Sequence, residues 1–166
     1  EQEGVNILPD IAAAILKKME EKAITTEETV GVGIGLPGPI EENGEIACAV
    51  NLHWGRKNVE KELEELTGMP VKAGNDANVA ALGEMWKGGG KGAKNLILAT
   101  LGTGVGGGII INEKIVTGAH GAGGEIGHAM INPAEEKACN CGNKGCLEQY
   151  ASATGIASLA RKALEK

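Results

Sequence analysis

The sequence predicts an α/β fold. Segments with aliphatic residues at helical spacing alternate along the chain with short aliphatic runs of strand length. The 27 glycines are clustered between these runs and show no repeat, which indicates turns and close backbone contacts. At 166 residues the chain is long enough for one sizeable core or two small lobes.

The first predicted elements are a helix and a strand. Isoleucines and a methionine recur every four residues from Ile7 to Met19, and Pro9 is tolerated in a first turn, which predicts an amphipathic helix over roughly 9–22. Aliphatic residues then alternate with glycines over 30–36. This alternation predicts a strand whose second face is bare backbone, open to close approach by another element.

A helix, a strand and another helix are predicted next along the chain. Asn58 predicts the cap of a second helix that closes at Gly68. A short strand is expected over 69–73 and a third helix over about 77–86.

The second half of the chain opens with a predicted β-hairpin. Two aliphatic runs, 95–101 and 105–112, are separated by a turn of two glycines and a threonine. A last helix is expected from about Thr154 to the end of the chain.

Charge and hydropathy exclude two classes of partner. The 22 acidic and 16 basic residues give a net charge of −6, without the basic block that attracts a phosphate backbone, so direct nucleic-acid contact is not expected. No apolar run is long enough to cross a membrane, and no charged leader precedes an apolar segment. A soluble, cytoplasmic protein without a membrane partner is therefore the expectation.

Three of the four cysteines lie within eight residues, in CNCGNKGC. With His128, the residues Cys139, Cys141 and Cys146 offer three thiolates and an imidazole, the donors that tetrahedral zinc binds. Glycines between them allow the backbone to wrap tightly around an ion. A closed site with four protein ligands is structural, so the sequence predicts a small zinc-binding loop.

Other interpretations of the cysteines remain open at this point. A disulfide needs an oxidising compartment and would leave one of the three thiols unpaired, unless Cys48 joined them. A thioredoxin-like pair needs two intervening residues, and neither spacing here provides them. Reduced structural cysteines are the remaining alternative.

Two glutamates flank the predicted loop. Glu125 lies three residues before His128, and Glu148 lies two residues after Cys146. If the metal fixes both ends of the loop, the two carboxylates and the imidazole can converge, an arrangement suited to the vicinal hydroxyls of a polyhydroxylated ligand. The alternative is that both are solvated surface charges.

Two further segments are candidates for ligand binding. Asp76 follows a predicted strand and precedes a helix, at the strand edge where open α/β sheets bind ligands, although a helix N-cap is the simpler role for it. The turn Gly102-Thr103-Gly104 can present backbone N–H groups and a hydroxyl to phosphate, or it can be an ordinary hairpin turn. It matches neither a Walker A loop nor a Rossmann fingerprint.

The segment GGEIGHAMINPAEEKACNCGNKGCLE, residues 123–148, closely resembles the signature of the ROK family of bacterial sugar kinases and sugar-responsive repressors. The resemblance extends through GIGLPGPI (33–40), GNDANVAALGE (74–84) and TLGTGVGGGII (100–110), in the family's order. Among its members, the chain looks most like the ATP-dependent glucokinases. The resemblance implies the actin-like ATPase (ribonuclease H-like) fold of sugar kinases.

The resemblance also implies roles for individual residues. It implies zinc on His128, Cys139, Cys141 and Cys146, and it implies that Asp76 takes the proton from the 6-hydroxyl of glucose while Mg-ATP supplies the phosphoryl group. The implied sugar contacts are Asn75, Asp76, Glu125, His128 and Glu148, with Gly38 and Asn51 as further candidates. The implied phosphate contacts are Gly102, Thr103 and Gly104.

Two segments typical of ROK kinases are missing from the sequence, an initial phosphate-binding Asp-x-Gly-Gly-Thr turn and a later adenosine-binding segment. The chain is therefore expected to be an internal part of a kinase of about twice the length, with an incomplete fold that need not turn over by itself. Residues 1–80 would belong to the smaller lobe and 81–166 to the larger lobe.

Alternative functions follow from the same resemblance. A ROK repressor would share the sugar and zinc residues and carry a helix-turn-helix upstream. Kinases for N-acetylglucosamine, N-acetylmannosamine or fructose share these motifs, and a zinc-stabilised module without a ligand is the third possibility. A homo-oligomer is the family habit expected for the full-length protein.

Overall fold

The computed structural model describes residues 4–47, 49 and 52–165 and confirms the α/β class. The helices are α1 (Ile7–Lys22), α2 (Val59–Thr67), α3 (Asp76–Lys87), α4 (Glu148–Ala151) and α5 (Ala153–Leu164). The strands are β1 (Val32–Leu36), β2 (Glu45–Ile46), β3 (Lys57–Asn58), β4 (Val71–Asn75), β5 (Leu96–Leu101), β6 (Val105–Ile111) and β7 (Lys114–Ile115). The chain divides into two compact units, Glu1–Asp76 with Ala119–Ala122, and Ala77–Gly118 with Gly123–Lys166.

The first unit is built on a parallel pair of strands. β1 pairs with β4 in a register that joins Val32 to Val71 and Leu36 to Asn75. Helices α1 and α2 pack in the same unit, and β2 and β3 form a short antiparallel pair. The buried core of this unit comprises Leu8, Ala12, Leu36, Ile40, Ile46, Ala49, Trp54, Val59, Leu63 and Val71.

Helix α1 starts two residues earlier than the sequence predicts. The amide of Ile7 donates to the carbonyl of Gly4, and that of Asp10 donates to Asn6, so the first turn closes around Pro9. Proline is compatible with this turn because its missing N–H would have no partner within the helix. Helix α2 is as predicted: the Asn58 side chain accepts from the Lys61 amide, and Gly68 ends the helix with φ of 71°.

Two predictions about the strands of this unit are wrong in detail. β1 begins at Val32, where its pairing with Val71 of β4 starts, two residues later than predicted. Val30, which lies outside the strand, is 98% exposed. On the predicted bare face, close approach is seen at Gly31, where an added Cβ would lie 2.6 Å from the Pro70 carbonyl oxygen, and not at Gly33, where it would meet no atom of the described residues within 4 Å. β4 lies two residues later than expected, because Met69 still bonds the Thr67 hydroxyl at the end of α2.

The second unit contains the predicted hairpin. β5 and β6 pair antiparallel, and the two-residue strand β7, which the sequence did not predict, extends this sheet beside β6. A Cβ at Gly108 would lie 2.5 Å from that of Ala81, so glycine lets α3 lie directly on β6. At the end of the unit, α5 begins at Ala153 with Ser152 as its cap, and α4, which was also not predicted, precedes it.

Of the helices in the described ranges, none combines the length and the apolar character that crossing a membrane requires.

Candidate metal centre and active-site residues

The four predicted metal ligands lie together in the second unit. The ligand atoms of His128, Cys139, Cys141 and Cys146 are all within 4.8 Å of one another. The Sγ atoms of Cys141 and Cys146 are 3.7 Å apart, and Cys139 Sγ is 3.8 Å from Nδ1 of His128. Zn–S bonds of about 2.3 Å in a tetrahedron place two sulfurs about 3.8 Å apart. The donor set and its spacing therefore fit zinc.

The segment from His128 to Cys146 is called the cysteine loop. Backbone contacts bring its two ends together. The amides of Ile131 and Asn132 both donate to the carbonyl of Gly145, and the amide of Cys139 donates to the carbonyl of Asn143. Gly145 has φ of 68°, and a Cβ there would overlap the Asn132 carbonyl oxygen. Only glycine fits at this position, which explains one of the glycines between the cysteines.

The thiols differ in their electrostatic environment. Burial, together with the neighbouring cysteines, raises the pKa of the Cys146 thiol to about 12. The backbone N–H of Asn143 lowers the pKa of Cys141, whose side chain is exposed. Metal binding would therefore displace a more firmly held proton from Cys146 than from Cys141.

A second layer of polar side chains supports the cluster, and the sequence reasoning missed it. The Gln149 side chain accepts from the Cys146 amide at 3.0 Å and donates to the Lys137 carbonyl at 2.9 Å, which ties both arms of the loop together. The Tyr150 hydroxyl donates to Glu135 and accepts from Asn132, both at 2.7 Å. The sequence signal for it is a short polar run, Glu148-Gln149-Tyr150, two residues after the last cysteine.

The two predicted carboxylates both lie beside the cluster. Oε2 of Glu125 is 3.8 Å from Nε2 of His128, the imidazole nitrogen opposite to the one that faces Cys139. Glu148 places Oε1 at 3.7 Å from Cys139 Sγ, while its Oε2 accepts from the Val105 amide at 3.0 Å. Glu148 thus connects the cysteine loop to the start of β6.

The tip of the predicted phosphate hairpin is held by the start of α5. The Gly102 amide donates to the Gly104 carbonyl across the turn. The Gly102 carbonyl accepts from the Ala153 amide at 2.8 Å, and the Thr103 carbonyl accepts from the Thr154 hydroxyl at 2.7 Å. These contacts were not predictable from the sequence, because about fifty residues separate the partners.

In the first unit, the structure brings two of the predicted sugar-binding residues together. The Asn75 side-chain amide donates to the carbonyl of Gly38 at 3.2 Å, and Gly38 has φ of 110°, a conformation that favours glycine. Asp76 is the first residue of α3, directly after β4 ends at Asn75. The remaining candidate of this unit, Asn51, lies outside the described residues.

Comparison with known proteins relates these features to one family. The family model described as "ROK family" matches residues 4–166. A glucokinase of Halalkalibacterium halodurans is 51% identical over 158 residues, which are 95% of this chain and 48% of that protein. A xylose repressor of Caldicellulosiruptor bescii is 39% identical over 154 residues, which are 92% of this chain and 38% of that protein.

Among solved structures, a ROK family glucokinase from Streptomyces griseus, in complex with glucose and AMPPNP, matches with a TM-score of 0.79 and 34% identity. The match covers 98% of this chain and 55% of that one. The chain therefore has the fold of the corresponding part of a ROK sugar kinase, and it spans about half the length, or less, of the relatives it matches.

Proposed function

The chain belongs to the ROK family, and from this premise we propose that the full-length protein carrying it transfers the γ-phosphoryl group of ATP to the 6-hydroxyl of glucose. The position of Asp76 carries the proposal. It directly follows the carboxyl end of a parallel strand, where open α/β sheets bind their ligands. The similarity to glucokinases, one of which was crystallised with glucose and AMPPNP, supports the choice of substrates.

In this proposal Asp76 is the general base. Its carboxylate accepts the proton of the sugar hydroxyl as that oxygen attacks the γ-phosphorus, a contribution typically worth about 10²- to 10⁴-fold in rate. Asn75, held against the Gly38 carbonyl, orients a neighbouring hydroxyl, with Gly38 and Asn51 as further contacts. Positioning of this kind supplies much of the rate of phosphoryl transfer, because little covalent chemistry is left to the protein.

Residues of the second unit supply the other proposed contacts. The carboxylates of Glu125 and Glu148 accept from hydroxyls of the sugar. The Nε2 edge of His128 accepts from or donates to a further hydroxyl. The turn Gly102-Thr103-Gly104 binds the phosphates of Mg-ATP. The Thr103 and Gly104 N–H groups and the Thr103 hydroxyl are the donors, because the Gly102 N–H already donates to the Gly104 carbonyl. His128, Cys139, Cys141 and Cys146 hold zinc, which when bound cross-links the cysteine loop and takes no part in the reaction.

The proposal also covers the lobes, the oligomeric state and the cellular location of the full-length protein. Residues 1–80 belong to its smaller lobe and 81–166 to its larger lobe, and the protein forms a homo-oligomer. A cytoplasmic location agrees with a zinc site, which needs cysteines kept reduced as in the cytosol.

A kinase assay with several sugars tests the proposal. The full-length protein, loaded with zinc and supplied with Mg-ATP, should phosphorylate glucose with a higher kcat/KM than N-acetylglucosamine, N-acetylmannosamine or fructose. Preference for another of these sugars would keep the reaction and revise the substrate, since one or two pocket contacts decide between such sugars. Absence of phosphoryl transfer to all four would overturn the proposal.

A second candidate function is favoured by one observation, the similarity to a xylose repressor over 92% of the chain. A sugar-responsive repressor would use the sugar and zinc residues without transferring phosphate. The sequence upstream of this chain in the gene separates the two, because a kinase has a phosphate-binding turn there and a repressor has a helix-turn-helix.

A further inference from the structure

Two successive peptide units at the hairpin tip are held in the same way. The Gly102 carbonyl accepts from the Ala153 amide, and the Thr103 carbonyl accepts from the Thr154 hydroxyl. Both donors belong to the first turn of α5. The two carbonyls therefore point toward the beginning of that helix.

The direction of a carbonyl fixes the direction of the N–H group that follows it. A trans peptide unit is planar, and its C=O and N–H bonds point in opposite directions. The Gly102 carbonyl shares a peptide unit with the Thr103 amide, and the Thr103 carbonyl shares one with the Gly104 amide. Contacts that hold the carbonyls toward α5 therefore turn both N–H groups away from it.

These two N–H groups are available to a ligand. In the part of the chain that the structure describes, neither the Thr103 amide nor the Gly104 amide donates to a protein group. Successive N–H groups that point to one side form a concavity that binds anions such as phosphate. A carbonyl rotated into the same space would instead present negative charge to the anion.

The Thr154 hydroxyl is itself oriented by a buried neighbour. Ser152 is fully buried, and its Oγ accepts from the Gly155 amide at 3.0 Å as the cap of α5. The same Oγ lies 3.1 Å from the Thr154 hydroxyl oxygen. Ser152 thus fixes both the helix start and the side chain that reaches the hairpin.

We propose that Thr154 is a positioning residue for nucleotide binding: its hydroxyl holds the Thr103 carbonyl so that the Gly104 N–H, together with the Thr103 N–H, faces the phosphates of ATP. This inference rests on the proposed kinase function. Thr154 contacts only the far side of the hairpin and does not itself touch the nucleotide. Its loss should therefore affect nucleotide binding and leave sugar binding unchanged.

The test uses three variants of the full-length, zinc-loaded protein. Thr154→Val removes the hydroxyl and keeps the branched shape, and Thr154→Ser keeps the hydroxyl. Thr117→Val is the matched control in the same unit, because the Thr117 hydroxyl makes no hydrogen bond within the described residues. Loss of one neutral hydrogen bond should raise KM for Mg-ATP about three- to tenfold in Thr154→Val. Thr154→Ser and Thr117→Val should remain near wild type, with the Kd for glucose unchanged in all three.

A second readout is independent of turnover. The amide resonances of Thr103 and Gly104 can be followed by NMR while magnesium tripolyphosphate is added. We expect the titration midpoint of Thr154→Val to be about three- to tenfold higher than those of wild type and Thr154→Ser.

Equal midpoints in all of these proteins would overturn the inference. So would a Thr154→Val variant that weakens glucose and nucleotide binding equally, since that pattern indicates general damage to the unit. If the midpoints separate as expected but the wild type does not phosphorylate sugars, the positioning role stands as an anion-site role and the kinase proposal alone fails.

Discussion

Glu148 is the residue that links two candidate sites of the second unit, the hairpin and the cysteine loop. Its carboxylate reaches the Val105 amide at the start of β6 and approaches Cys139 of the cysteine loop. Gly104 makes this possible, because a Cβ there would overlap Oε2 of Glu148. A side chain proposed to bind sugar is therefore held by the β5–β6 hairpin and the cysteine loop together.

A pair of glycine substitutions tests this dependence. Gly104→Ala should displace the Glu148 carboxylate and free the Val105 amide, whose exchange with solvent should become about three- to tenfold faster, as expected for one lost hydrogen bond. Gly102→Ala is the control, because a Cβ at Gly102 would meet no atom of the described residues within 4 Å. Equal exchange rates at Val105 in the two variants, measured by NMR, would contradict the role given to Gly104.

At the scale of elements, the four-residue helix α4 contacts the cysteine loop through polar side chains. Its side chains make hydrogen bonds to different parts of the unit. Glu148 bonds the start of β6, Gln149 bonds both arms of the cysteine loop, and Tyr150 bonds Asn132 and Glu135. None of its residues is fully buried, so these polar contacts position it more than apolar packing does. Residues that orient the ligands of a metal site commonly affect its metal affinity.

Gln149 should therefore affect zinc affinity. Gln149→Ala removes the link between the Cys146 amide and the Lys137 carbonyl and should weaken zinc binding about 10- to 100-fold, measured by competition with a chromophoric chelator. Gln149→Glu keeps the acceptor for Cys146 and loses the donor to Lys137, so it should fall between wild type and Gln149→Ala. An unchanged affinity in both variants would show that the loop orients its ligands without this side chain.

Acid should weaken the contact between Tyr150 and Glu135. The Tyr150 hydroxyl, and with it the Lys137 amide, lowers the pKa of Glu135 below its ordinary value of 4.5 in the folded state. Because the folded pKa is the lower one, the stabilisation is complete above the unfolded pKa and is lost as the pH falls through the folded value.

The measurement is the melting temperature of wild type and Glu135→Gln from about pH 6 to about pH 3. Wild type should melt higher at the upper end, and the difference should shrink toward the lower end. A difference that is constant over this range, or that grows on acidification, would contradict the assignment of the pKa shift to this contact.

The elements that the sequence predicted well are those with a local signal. Asn58 and Gly68 mark both ends of α2 by their own side-chain and backbone chemistry, and the turn of two glycines and a threonine marks the hairpin. The cluster of one histidine and three cysteines was predictable because these are rare residue types within a short segment. α4 and β7 have four and two residues, too few for a periodic pattern, and the contacts from Gln149 and Thr154 depend on tertiary folding.

At the scale of the whole molecule, the chain matches the ROK family but spans about half the length of the glucokinases it matches. The ROK family model matches residues 4–166 of this chain. The chain nevertheless covers only 48% of the Halalkalibacterium halodurans glucokinase and 55% of the Streptomyces griseus glucokinase structure. The fold of each unit accounts for how its own candidate residues are held: Asn75 by Gly38 in the first, the cysteine loop by α4 in the second. The reaction is a proposal for the full-length protein.

Turnover of glucose by the full-length Asp76→Asn variant tests the proposed reaction most directly. The substitution keeps the size of the side chain and removes its basicity, so kcat with Mg-ATP should fall about 10²- to 10⁴-fold while calorimetry shows a glucose Kd close to that of wild type. Asp10→Asn, at an exposed position on α1, is the control and should retain wild-type turnover. Near-normal kcat in Asp76→Asn would contradict the account, because the hydroxyl proton would then be accepted elsewhere.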